Sequence, residues 1–99
     1  MLGIIKDIRK ICPGISEKAM EEILRGGFEL YAKRMTLHNM CGDWVVGMER
    51  EIDAAESYLT GLFVAYTDCG LLNFAGDAVE FRDAIREIVE NWINARNVF

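Results

Sequence analysis

The sequence predicts an all-α fold, a small helical bundle built on a long antiparallel helical hairpin, as one domain over residues 1–99. Three observations carry that expectation. Apolar residues recur in an unbroken 3-4 rhythm from Val45 to Tyr66 and again from Ala78 to Phe99. Capping residues and helix breakers stand at the ends of these runs. No segment alternates with period two for long enough to form a strand.

A first helix is expected over about residues 2–11, where Ile4, Ile5, Ile8 and Ile11 fall at helical spacing. Cys12-Pro13-Gly14 ends it, because proline disfavours helical backbone in the residue before it. Ser16 can then accept from a free N–H as the N-cap of a second helix over about 16–35, and Glu17 favours the positive end of its dipole. The apolar stripe here is Met20, Leu24, Phe28, Tyr31 and Met35, and it runs through Gly26-Gly27. Each helical glycine costs ~1 kcal/mol relative to alanine, so the pair marks a kink, a break or a close packing point. Thr36 to Gly42 reads as a connection, with Asp43 able to cap the next helix.

The hairpin arms are expected at about 43–67 and 77–98. In the first, Val45, Met48, Ile52, Ala55, Leu59, Leu62 and Tyr66 occupy every a and d position of three heptads. Asp68-Cys69-Gly70 closes it. Asp77 and Glu80 have capping-box spacing before Ala78, Phe81, Ile85, Ile88, Trp92, Ala95 and Phe99 repeat the pattern. A parallel coiled-coil homodimer of the first arm would set Glu51 against Glu56 across the seam, so packing within the chain is favoured. Outside the seam the first half of this arm is charged. Its second half, Tyr58 to Tyr66, is apolar almost all round and should be enclosed by other helices or by a partner.

Charge is unevenly placed. Residues 1–35 carry a net +2 and residues 36–99 a net −7. The acidic part repels nucleic acid and anionic lipid and attracts a basic protein surface, so direct nucleic-acid binding is not expected. The apolar run from Tyr58 is far shorter than the ~20 residues of a membrane span, and charges at Lys6, Asp7, Arg9 and Lys10 interrupt any export signal. Three scattered cysteines in a hydrophobic-rich chain fit a reducing cytoplasm better than a disulfide scaffold.

Catalytic and metal chemistry find little support, and no cofactor is expected. His38, Cys41 and Cys69 offer donor types suited to zinc or to a thiol-based sensor or small enzyme, but without a Cys-x-x-Cys pair. Asp53-x-x-Glu56 and Glu80-x-x-Asp83 loosely resemble the magnesium motif of the all-α nucleotide pyrophosphohydrolases. That resemblance implies a metal site, yet the heptad phase turns three of the four carboxylates outward, as on an ordinary charged helix face. Expected i,i+4 and i,i+3 pairs are Arg86–Glu90 and Asp83–Arg86.

The favoured expectation is therefore a non-enzymatic acidic interaction module. Asp43, Glu49, Glu51, Asp53 and Glu56 form an acidic rim that steers toward a basic partner surface. Leu71, Leu72 and Phe74 crowd the connection between the arms, where they either tuck beneath the bundle or form a docking patch. A basic surface is often a nucleic-acid-binding one, so an inhibitor of the kind carried by phages and mobile elements is compatible. Self-association is a second outlet for the apolar surplus.

Overall fold

The computed structural model describes residues 2–39 and 44–96. They form four helices, α1 Leu2–Ile11, α2 Glu17–His38, α3 Trp44–Asp68 and α4 Ala78–Arg96, and no strand occurs among the described residues. No described helix is long and apolar enough to cross a membrane.

Local chemistry sets the helix ends. Ser16 caps α2, its hydroxyl oxygen accepting from the Ala19 N–H at 3.1 Å. Asp77 and Glu80 form the reciprocal capping box of α4: the Glu80 N–H donates to Asp77 Oδ1 at 2.8 Å, and the Asp77 N–H donates to Glu80 Oε1 at 3.1 Å. α3 ends in a Schellman turn. There the Leu71 N–H donates to the Tyr66 carbonyl, the Gly70 N–H donates to the Thr67 carbonyl, and Gly70 takes the left-handed backbone (φ 75°) that favours glycine.

α2 passes unbroken through Gly26-Gly27, which resolves the expected kink or break as close packing. A Cβ on Gly26 would lie 2.9 Å from Leu59 Cδ2 of α3, and one on Gly27 would lie 3.0 and 3.1 Å from Val89 Cγ2 and Ile85 Cγ2 of α4. The two glycines thus let one helix approach two neighbours at once. α2 runs antiparallel to α3, as the pairs Glu22–Tyr66, Gly26–Leu59 and Lys33–Glu51 show. It also continues three residues past the expected end, because Thr36, Leu37 and His38 contain no breaker; Thr36 Oγ1 donates back to the Ala32 carbonyl.

The core runs through the middle of every helix. Ile4 and Ile8 of α1, Ile23 and Leu30 of α2, Leu59 of α3, and Phe81, Ile85 and Val89 of α4 are fully buried. α1 packs against α4, and the Ser16 N–H donates to the Leu71 carbonyl, joining the α1–α2 turn to the α3–α4 connection. At that end Phe81 meets Phe63 and Phe74 with ring centroids 4.9 and 5.5 Å apart. At the other end Phe28 meets Trp92 edge-on at 5.7 Å, and the Arg96 guanidinium lies 4.1 Å over the Trp92 ring.

One expectation loses an alternative and another needs correction. The apolar second half of α3 is not fully enclosed by the other helices: Gly61, Val64 and Ala65 are exposed on the face opposite the core, while the partly exposed Tyr58 lays its ring beside Gly26 of α2. The Arg86 pairs do not form among the described residues. Arg82 instead takes up both Glu56 at 3.8 Å and Asp83 at 3.1 Å, while Arg86 Nε is buried without a hydrogen-bond partner. Arg82 sits where α3 and α4 meet and reaches a carboxylate on each helix.

Of the cysteines, Cys12 is buried and Cys69 is exposed. Burial pushes the Cys12 thiol up to about 11. Because folding favours its neutral form, this contribution to stability is complete below pH 9.0 and is lost as pH rises toward 11. In a Cys41→Ser background, a thiol reagent at about pH 8 should modify one cysteine rapidly and a second only after denaturation. Rapid modification of both would show that Cys12 is accessible.

Candidate functional site

The expected acidic rim divides according to what each carboxylate meets. Glu51 lies 3.7 Å from Lys33 Nζ, which also approaches Glu29 at 3.3 Å. Glu56 is half-buried against Arg82. Glu49 and Asp53, one helical turn apart on α3, form no ion pair among the described residues. Both line a groove where the C-terminal turns of α2 and α4 meet the first turns of α3. Asp43 lies outside the described residues.

This groove has a volume of about 740 Å³. α4 contributes a third carboxylate, Glu90, which is likewise free of ion pairs among the described residues, and buried Ile52 supplies an apolar floor. Arg34 and His38 of α2 line the same groove. Three carboxylates against one guanidinium leave a net negative cleft, with Tyr31 and Met35 giving it an amphipathic wall. Such a cleft suits a cationic side chain on an aliphatic stem. Glu90 escapes a reading of the sequence because its position there is that of an ordinary exposed helix charge. Only the antiparallel placement of the helices brings it beside Glu49 and Asp53.

Leu71, Leu72 and Phe74 do not act together. Leu72 is fully buried, Phe74 joins the aromatic cluster with Phe63 and Phe81, and Leu71 alone is exposed. The Schellman turn explains the split, since it directs the chain back under the bundle immediately after Leu71. A three-residue docking patch does not exist at this connection.

Of the alternative metal or thiol site, the two described members, His38 and Cys69, are not brought together. His38 lines the groove beside Glu49, whereas Cys69 lies just past the far end of α3, about 30 Å away at 1.5 Å per residue. Cys41 lies outside the described residues. Among the described residues no group of three His, Cys, Asp or Glu side chains is placed to hold a metal ion. Three of the four carboxylates of the magnesium-type motif are engaged elsewhere, Glu56 and Asp83 with Arg82 and Glu80 in the capping box, which leaves Asp53 as the only one of them in the groove. Tyr66 donates to Glu22 at 2.7 Å, and that bond to a carboxylate, with burial, pushes its phenol up to about 12, the direction of a structural tether.

Comparison of the chain with models of known protein families, with curated proteins and with solved structures gives no match in any of the three.

Proposed function

We propose that this chain is a non-enzymatic binding module that receives a basic segment of another protein in the groove between α2, α3 and α4. The observation that carries the reading is the grouping of Glu49, Asp53 and Glu90 around Ile52, unpaired, while the other described rim acids are neutralised by the chain's own lysine and arginine. A lysine or arginine of the partner lays its stem on Ile52 and its charge among the carboxylates. The net −7 of residues 36–99 draws such a partner in from a distance. A nucleic-acid-binding surface has this chemistry, and a chain seated on it blocks it. That is the action of an inhibitor of the kind carried by phages and mobile elements.

Two variants with the same net charge test the site. A labelled arginine- and lysine-rich peptide is titrated at low ionic strength and followed by fluorescence anisotropy. Glu49→Gln with Asp53→Asn should weaken binding about tenfold, at ~0.5–1 kcal/mol per exposed charge. Glu51→Gln with Glu56→Gln removes as much charge from the paired positions and should stay within about twofold. Equal losses in both variants would reduce the interaction to general charge attraction and overturn the groove.

A further inference from the structure

The exposed face of α3 is the one large helix surface whose composition the groove leaves unexplained. Residues Ser57 to Thr67 carry no charge, and on the side away from the core Val64 is 52% exposed, with Gly61 and Ala65 exposed beside it. Gly61 sits at the centre of this side. A Cβ there would meet nothing within 4 Å, so no contact within the chain calls for glycine, unlike the tight positions at Gly26 and Gly27.

The charges that bracket this face are self-complementary. Arg50 and Asp68 stand near its two ends, both are exposed, and neither forms an ion pair among the described residues. Asp68 is also at the unfavourable end of α3, an anion in the last turn where no basic residue offsets it. The outward positions Arg50, Ala54, Ser57, Gly61, Val64 and Asp68 are spaced 4, 3, 4, 3, 4, which reads the same in both directions. An antiparallel copy of α3 centred near Leu59 therefore sets Arg50 against Asp68, Ala54 against Val64 and Ser57 against Gly61, twice over by symmetry.

We propose that the occupant of this face is a second copy of the chain, docked antiparallel through α3. Charge sets the orientation. Antiparallel docking places the acids Glu49, Glu51, Asp53 and Glu56 opposite residues 62–69 of the partner, where Asp68 is the only charge and Arg50 answers it. Parallel docking would stack the four acids on their own copies. Small residues at Ala54, Ser57 and Gly61 let the helices approach closely. The face between Arg50 and Asp68 is about 27 Å long, on the order of 1,000 Å² buried in total, which is the size of a weak, reversible interface. A dimer of micromolar strength is the scale to expect.

Sedimentation equilibrium of the full chain tests this. The mass should rise with concentration from 11.2 kDa toward twice that value. Gly61→Arg should hold it at 11.2 kDa with the helical circular dichroism unchanged. Arg50→Asp or Asp68→Arg alone should weaken the dimer tenfold or more, and the double exchange should restore it. A mass of 11.2 kDa at millimolar concentration would overturn the proposal, as would a dimer indifferent to Gly61→Arg. Single charge reversals that do not weaken it, or a double exchange that fails to restore it, would overturn the antiparallel register. Glu49→Gln with Asp53→Asn should leave the dimer intact, so this interface and the basic-segment groove stand or fall separately.

Discussion

Phe81→Ala should lower stability by about 3–5 kcal/mol, the range for removing a large fully buried aromatic ring. Phe81 has no solvent exposure and joins Phe63 of α3 to Phe74 of the connecting segment, so its loss opens a cavity shared by three segments. Domains of this kind have only ~5–15 kcal/mol in hand, so the variant should be partly unfolded at physiological temperature. Urea denaturation followed by circular dichroism gives the value. Phe74→Ala should cost less, because Phe74 is only partly buried and the cavity would open toward solvent. A loss below about 1 kcal/mol for Phe81→Ala would mean that the aromatic cluster is not a working part of the core.

Gly27→Val should be the second severe change, at about 3 kcal/mol. Even the first carbon beyond the backbone would stand 3.0 Å from Val89 and 3.1 Å from Ile85. Both neighbours are β-branched and fully buried, so neither can turn aside. The helix must move off α4, and the Phe28–Trp92 contact one residue along should loosen with it. Gly47→Ala is the matched contrast. Its Cβ meets nothing within 4 Å, so helix propensity alone should act and stability should rise by up to ~1 kcal/mol. Urea midpoints for the two variants should move in opposite directions. A neutral Gly27→Val would show that α2 and α4 are not in close contact there.

Much of this fold is legible in the sequence where the governing rules act locally. Ser16, the Asp77–Glu80 box and the heptad stripe of α3 obey rules that operate within a few residues, and each stands where those rules put it. Gly26-Gly27 can be recognised in the sequence as exceptional but not explained there. Its reason lies in Leu59, Ile85 and Val89, which only the tertiary arrangement brings near. α2 buries Ile23 and Leu30 beside the expected stripe of Met20 and Leu24 because it packs on two helices, and a single stripe describes only one face.

The site is legible to a lesser degree. Charge density on α3 identifies the acids, but which of them stay available depends on Lys33 and Arg82, whose reach across to neighbouring helices no local pattern reveals. The apolar connection misleads for the opposite reason. Leu71, Leu72 and Phe74 look equivalent in sequence, and a single backbone reversal at Gly70 separates one surface residue from two packed ones.

The proposed function rests on the groove at the end of α2, α3 and α4 receiving a basic segment. Residue-resolved amide shifts during titration with the arginine- and lysine-rich peptide address it most directly. The shifts should cluster at Arg34 and His38, at Glu49 and Asp53, and at Glu90 and Asn94, and they should fade as salt is raised. Shifts confined to α1 or to the Thr67–Asp77 connection, with the groove residues unmoved at saturation, would contradict it.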